Sequence, residues 1–303
     1  MALSKLSEDQ HRSIFSQLCN VLDPRVAVAL SSASKELRTA TQALLQQLRA
    51  DHAVATALSL KVGLWSCKQL REAKEVDWWK NERGTFSSAY LALLGTLGSV
   101  LPALETLEIS ESSAGPDGVQ RLAAGLGAGA LPAVTFLSIR ITHVGDAGAS
   151  ALAAALVRGA LPRLKTLTLG DALIGDAGLV ALAPALRRLP ALEVLGLTNN
   201  PFGDEGLAAL VAPPPPAGEL PPPTGVLTKL RHLYLYNSQI TDAGCAALAA
   251  ALDSGALPAL EKVNLAFGVP RAGAAAKAAV LEALATRSRR RAAAVSSVVS
   301  VRA

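Results

Sequence analysis

Leucine and other apolar residues recur along most of this chain in one pattern, Leu-Pro-x-Leu-x-x-Leu-x-Leu. The clearest copy covers residues 161–169, and related copies begin at Leu101, Leu131, Leu189, Leu227 and Leu257. In chain order the six starts are 30, 30, 28, 38 and 30 residues apart. A near-constant interval of this length is typical of a solenoid, in which each unit packs on its neighbours.

Each copy predicts a short strand followed by a helix. In the stretch 192–197, apolar residues at spacing three and then two indicate a strand that points its leucines toward a core. A helical pattern at spacing i, i+3, i+4 and i+7 appears between strands, in one repeat as Leu179, Leu182, Ala183 and Leu186. Strand and helix therefore alternate, with parallel strands expected on one side and helices on the other.

Polar and glycine positions mark the expected ends of the helices. An aspartate stands two residues before a glycine and just ahead of four helical patterns, at Asp146, Asp176, Asp204 and Asp242. A carboxylate there can accept from the free N–H groups of a helix start, so each aspartate is predicted to cap its own helix. Three helices are expected to end at glycines, namely Gly129, Gly159 and Gly255.

These alternating units resemble the leucine-rich repeat family, in its ribonuclease-inhibitor-like form, over residues 101–286. The resemblance implies an α/β fold, a solenoid with a concave parallel sheet and a convex layer of helices. It also implies an asparagine that closes each strand turn, and in this chain only Asn200 holds that position. The hydrogen bonds of the other turns are therefore expected to be weaker.

The regular array is extended on one side and interrupted once. Ala55, Leu58 and Leu60 are expected to form an earlier strand, with residues 53–100 as an irregular first repeat or insertion. The proline-rich stretch 213–223 accounts for the single 38-residue interval and predicts a stiff, extended loop after the helix of the fourth copy.

Residues 1–52 have helical periodicity without the repeat. The stretch 22–38, Leu-Asp-Pro-Arg-Val-Ala-Val-Ala-Leu-Ser-Ser-Ala-Ser-Lys-Glu-Leu-Arg, resembles the second half of an F-box. In that family a short helical module docks onto the small adaptor of a cullin-type ubiquitin ligase. The alternative is a helical cap that covers the open core of the first repeat. The resemblance implies that such an adaptor would contact Leu18, Leu22, Pro24, Val26 and Leu30.

Charge and cysteine content narrow the class of protein. The net charge is +5, but residues 287–303 contribute five arginines and no acid, so the rest sums to 5 − 5 = 0. A neutral body argues against a nucleic-acid-binding domain, and the basic tail is expected to be disordered. Three scattered cysteines favour a reducing compartment, the cytoplasm or the nucleus, and Cys245 is predicted to be a core residue. No apolar stretch predicts a membrane span.

The predicted binding surface is the concave face of the sheet, onto which the residues between the buried leucines project. Exposed aromatic side chains on a rigid sheet suit protein recognition, although they can also simply shield the sheet near the proline-rich loop. One of the adjacent Trp78 and Trp79 is predicted to pack where the N-terminal module meets the solenoid, and the alternative is a partner-binding anchor. The residues predicted to contact a protein on the concave face are Phe136, Arg140, His232, Tyr234, Tyr236 and Asn264.

No catalytic or metal-binding constellation is visible in the sequence. The four histidines have no metal-ligand spacing, and Glu108 and His232 are expected about 19 Å apart, four strands from each other. The sequence therefore favours a monomeric, non-enzymatic protein-binding adaptor without a cofactor. Its expected role is an F-box-like substrate receptor, and the alternative is a free-standing repeat scaffold whose N-terminal helices only cap the solenoid.

Overall fold

The computed structural model describes residues 7–77, 88–97, 101–110, 117–140, 143–211, 227–265 and 269–301. The strands in this part of the chain are β1 Glu75–Asp77, β2 Thr106–Ser110, β3 Phe136–Arg140, β4 Thr166–Gly170, β5 Val194–Gly196, β6 His232–Tyr234 and β7 Lys262–Asn264. The helices are α1 Glu8–Leu18, α2 Arg25–Ser32, α3 Lys35–Lys61, α4 Cys67–Glu72, α5 Ser88–Leu97, α6 Gly118–Gly125, α7 Gly145–Val157, α8 Asp176–Arg187, α9 Asp204–Val211, α10 Asp242–Asp253 and α11 Ala274–Val301.

The seven strands form one parallel sheet in chain order, β1 to β7. Equivalent positions of the repeat pair across the sheet, so Leu137 lies opposite Leu107 on one side and Leu167 on the other. The register therefore follows the sequence period. This arrangement confirms the predicted α/β leucine-rich-repeat solenoid with an N-terminal helical module.

A continuous apolar core lies between the sheet and the helices. The strand leucines Leu192, Leu195 and Leu197 are buried, and so is the helical stripe from Leu179 to Leu186. The predicted inward positions of both elements are thus confirmed. Cys245 is also a core residue, 1% exposed, and burial raises the pKa of its thiol. One cluster of buried side chains runs from Leu22 to Leu284, so the repeats share a single core.

The aspartates in the first turn of these helices act on the next repeat and not on their own helix. The Asp146 carboxylate accepts from the backbone N–H groups of Gly175 and Gly178, at 2.7 and 3.0 Å. Asp176 accepts in the same way from Gly203 and Gly206. The predicted cap on the same helix was wrong because the stacked neighbour offers free N–H groups at its own helix start. The negative charge of the carboxylate also interacts favourably with the positive end of the helix dipole.

The same contact explains the glycine two residues after each aspartate. A Cβ atom on Gly178 would lie 2.5 Å from Oδ1 of Asp146, and a Cβ on Gly206 would lie 2.8 Å from Oδ1 of Asp176. Any larger residue would push the carboxylate away from the backbone it holds. The Asp-x-Gly pairs are therefore a ladder of links between successive repeats, which Asp204 continues through the N–H and hydroxyl of Thr241.

Asn200 forms the turn hydrogen bonds that the family pattern implies. Its side-chain oxygen accepts from the N–H groups of Ala172 and Ile174, and its amide nitrogen donates to the carbonyl of Leu169 at 2.6 Å. Ser238, one repeat later, donates a single side-chain bond to the Leu235 carbonyl. The serine turn thus has fewer side-chain bonds than the asparagine turn, in the predicted direction.

The N-terminal region differs from the predicted domain boundaries. α3 runs without a break across the predicted boundary between residues 52 and 53, because no glycine or proline interrupts it before Gly63, whose φ is 78°. The strand expected at Ala55, Leu58 and Leu60 is therefore wrong, since these residues form the last turns of α3. Ala55 and Leu58 enter the solenoid core, while Leu60 is exposed.

The true first strand lies within the predicted irregular repeat. β1 pairs with β2 through Val76 and Leu107, and α5 packs on α6 and on α3. Gly95 and Gly125 allow α5 and α6 to approach closely, since a Cβ atom on either would lie under 3 Å from the other helix. Trp78 and Trp79 lie outside the described residues, as does the proline-rich stretch 213–223.

The C-terminal ends of the helices confirm two glycine predictions and correct a third. Gly159 and Gly255 have φ of 89° and 80° and directly follow Arg158 and Ser254, the C-cap residues of α7 and α10. Gly129 also has positive φ but lies beyond the end of α6 at Gly125.

The tail 287–303, expected to be disordered, is helical to Val301 within α11. Its alanine-rich composition, with no glycine or proline after Gly273, favours a helix.

We predict that replacing Asn200 destabilises the solenoid more than the equivalent change at Ser238. Asn200→Ala leaves buried N–H and carbonyl groups unpaired and should lower the free energy of unfolding by about 2–4 kcal/mol. Ser238→Ala removes one hydrogen bond and should cost about 0.5–1.5 kcal/mol. Urea unfolding followed by circular dichroism measures both, and equal losses would contradict the assigned role of Asn200.

Candidate functional site

The open face of the sheet, here called the concave face, carries the side chains that alternate with the buried leucines. Strand register arranges them in rows that cross the sheet. The first row contains Glu75, Thr106, Phe136, Thr166, Val194, His232 and Lys262. The second row contains Asp77, Glu108, Ser138, Thr168, Gly196, Tyr234 and Asn264.

An aromatic cluster occupies the β6–β7 end of this face. The rings of His232 and Tyr234 meet edge to face, with centroids 6.4 Å apart and planes at 73°. The Lys262 ammonium lies 5.7 Å from the centroid of the Tyr234 ring, within the range of a cation–π contact. Tyr236 projects beyond them and is 39% exposed. We call His232, Tyr234, Tyr236 and Lys262 the aromatic corner.

The structure brings together only some of the predicted contact residues. Asn264 lies opposite Tyr234 on the next strand and so borders the aromatic corner. Phe136 lies in the same row as His232 but three strands away, about 14 Å at the usual strand spacing. Arg140, at the other end of β3, is exposed. These two residues therefore form a separate part of the same face. Lys262 was not among the predicted contacts, because no sequence pattern showed that it lies over Tyr234.

A row of charged residues precedes the strands and lines one edge of the sheet. Arg231 pairs with Glu261 at 2.9 Å, and Lys74 pairs with Glu105 at 3.1 Å. Hydrogen bonding to Glu261 raises the pKa of Arg231, and Glu193 on the other side adds to the effect. Opposite charges on successive strands favour the observed register, although each exposed pair contributes little stability.

The residues of the N-terminal module that were predicted to contact an adaptor differ in how far they are exposed. Val26 and Leu18 are 57% and 37% exposed, whereas Leu22 is 5% exposed and belongs to the solenoid core. Pro24 and Leu30 are half-buried. Leu22 therefore supports the fold and is not free to contact a partner. Helical periodicity gave no means to separate Leu22 from its exposed neighbours, because the contact that buries it comes from a different part of the chain.

A cleft of about 830 Å³ lies between this module and the first repeat. Trp65, 84% exposed, lines this cleft together with Cys67 and His52, whose Sγ and Nδ1 atoms are 4.0 Å apart. His52 Nδ1 is 2.6 Å from the carbonyl of Val21, so this nitrogen is engaged by the backbone. Asp23, also in the cleft, is hydrogen-bonded by Arg25, which lowers its pKa to about 2. Sequence patterns did not indicate this cleft.

Across the described ranges, no group of three or more His, Cys, Asp or Glu side chains is placed to hold a metal ion. Register places Glu108 and His232 four strands apart, as the sequence predicted. In the part of the chain that the structure describes, no helix is both long and apolar enough to cross a membrane.

Comparison with family models agrees with the repeat architecture. The family model described as "Leucine Rich repeat" matches residues 189–211 and 226–249. A solved structure named "Leiomodin-1 Actin-Binding Site 2 (ABS2)" is similar to this chain, at 13% identity and a TM-score of 0.38. The similarity covers 70% of this chain and 95% of that one. No curated protein matches the sequence.

The parallel sheet with its layer of helices, together with the match to the repeat model, defines a leucine-rich-repeat solenoid. Proteins of this class are generally binding scaffolds, and stacked repeats present one long surface to a partner. The concave face of this chain carries exposed aromatic and cationic side chains at one end.

The aromatic corner should contribute little to stability. Tyr236→Ala should change the free energy of unfolding by less than about 1 kcal/mol, because the side chain projects from the sheet into solvent. Leu235→Ala, one residue earlier and fully buried, should cost about 2–5 kcal/mol. Thermal or urea unfolding of the two variants provides the comparison. A comparable loss for Tyr236→Ala would mean that the tyrosine mainly shields the sheet.

Proposed function

We propose that this protein is a non-enzymatic adaptor that selects a protein target on its concave face and, through its N-terminal module, serves as an F-box-like substrate receptor of a cullin-type ubiquitin ligase. We further assign the repeats to the ribonuclease-inhibitor-like type, because α-helices cover the convex side of the array. Such a receptor would act in the cytoplasm or the nucleus.

The aromatic corner is the observation that supports target binding. Tyrosine presents a large, stiff contact area together with a hydroxyl group, and it is common among residues that dominate binding energy. Tyr234 lies on β6 and Tyr236 lies in the turn after it, and the backbone carbonyls of both accept hydrogen bonds from N–H groups of the preceding repeat. A partner would therefore meet a preformed surface, which reduces the entropy lost on association.

The two sides of the N-terminal module support different roles. The inner side joins the solenoid core through Leu22, Ala55 and Leu58. The outer side carries Leu18 and Val26, which are exposed although apolar. A cap alone needs only the inner side. Exposed apolar residues on the outer side are the feature that favours an additional partner.

The alternative is a free-standing scaffold in which the module is only a cap. Ala55 and Leu58 pack within the solenoid core. This packing favours a capping role for the module, whether or not the module also binds a ligase adaptor. The two functions differ in one respect only, which is whether the outer side of the module binds the F-box-binding adaptor.

The test is binding of full-length protein to the host's F-box-binding adaptor, measured by isothermal titration calorimetry. We expect a dissociation constant of about 1 µM or lower. Val26→Asp should weaken binding about tenfold or more, because it places a charge in an apolar contact. Circular dichroism should be unchanged, since Val26 is exposed.

Val180→Asp is the matched control, the same change at a 39% exposed valine on the convex helix α8. It should leave adaptor affinity unaltered. Leu22→Asp is unsuitable as a probe, because a buried charge there would disturb the core. Absence of binding by the folded wild-type protein would leave the capped scaffold as the function.

A further inference from the structure

We propose that the concave face takes an extended, acidic segment of its target, held at one end by Arg140 and at the other by Lys262. This inference rests on the proposed target-binding role of the concave face and specifies the chemistry of the ligand. It is independent of the ubiquitin-ligase role of the N-terminal module.

The distribution of charge on the concave face carries the inference. In the two rows defined above, all acids lie on β1 and β2, at Glu75, Asp77 and Glu108. From β3 to β7 the same rows and Arg140 contain no carboxylate but do contain two permanent cations, Arg140 and Lys262. This part of the face, from β3 to β7, is here called the acid-free sector.

Acids near the edge of the acid-free sector do not cancel these cations. Glu261 is engaged by Arg231 through two hydrogen bonds, and Glu193 flanks the same guanidinium. Both glutamates precede their strands and lie on the edge, outside the rows that face a ligand. Asp171 follows Gly170, the register partner of Arg140, and so lies at the same strand end as Arg140, but among the described residues no ion pair joins the two. The sector itself therefore favours a negatively charged ligand.

The shape of the sector favours an extended segment rather than a single charged group. Arg140 and Lys262 are separated by four strands, about 19 Å, and by four residues along the strand direction, about 13 Å. Their Cα atoms are thus about 23 Å apart on a diagonal, which an extended peptide spans with about six or seven residues. No single small anion reaches both cations.

Neutral residues along the diagonal suit the middle of such a segment. Thr168 and Thr198 are half-buried and offer hydroxyl groups, and the three atoms nearest to a Cβ built on Gly196 all belong to the Thr168 side chain. The diagonal then reaches Tyr234, whose ring is already oriented by His232 and Lys262. The ligand expected at this end therefore has an apolar or aromatic residue that packs beside the Tyr234 ring. The next ligand residue is acidic and pairs with Lys262.

Selection of random displayed peptides on the immobilised full-length protein tests the inference. We expect enriched sequences with acidic residues on both sides of an apolar or aromatic residue. Affinity for a selected peptide, measured by fluorescence anisotropy, should fall about tenfold or more in Arg140→Glu and in Lys262→Glu, since each change replaces attraction with repulsion. Higher salt should weaken the wild-type complex.

Arg163→Glu is the matched control, because it makes the same charge change at an exposed residue outside the sector. It should change the affinity by less than about twofold. A peptide in which lysine replaces the acid that meets Arg140 should regain affinity for Arg140→Glu, which a merely structural role of Arg140 would not produce.

The variant Tyr234→Ala separates the two proposals. If it abolishes peptide binding while the selected peptides are neutral or basic, or while the two charge reversals have no effect, the acidic ligand is overturned and the concave face remains the binding site. If the selected peptides bind Tyr234→Ala and both charge variants as well as wild type, the concave face is not the site and both proposals fail.

Discussion

Stacking of each repeat on the next is the constraint on which the rest of this structure depends. Burying a leucine-like side chain contributes about 1.5–3 kcal/mol, whereas ordering one residue costs about 1–2 kcal/mol. Three strand leucines and one helical stripe therefore cannot order a whole repeat alone. The Asp146 and Asp176 carboxylates add directed links, because each holds the helix start of the following repeat. Closing both ends of the array is then a requirement, and α3 closes the first.

The concave face contributes little to the stability of the array. Stability resides in the leucines below the sheet and in the links at the helix starts, so most residues on the open face can change without disturbing the core. The aromatic corner and the acid-free sector lie on that face. The N-terminal module is divided in a similar way, because Leu22 packs in the core whereas Val26 is exposed on the opposite side.

Prediction from the sequence succeeded where one residue's neighbours are fixed by the repeat. Leu179, Leu182 and Leu195 are buried as expected, since a period of about thirty residues places equivalent positions in register. The prediction failed at the N-terminus, because α3 does not follow the repeat. The strand predicted at Ala55 and Leu58 is therefore wrong. A spacing of three is compatible with either element over so short a stretch, and only the absence of helix breakers distinguishes them.

The sequence by itself determined the repeat, the parallel sheet, the inward leucines and the row of side chains on the concave face, because local periodicity decides which way each side chain points. Tertiary structure alone decided which repeat each aspartate serves, that Leu22 is buried while Val26 is not, and that Lys262 lies over Tyr234. Each of these depends on a partner far away in the chain, whose position is fixed only when the repeats stack.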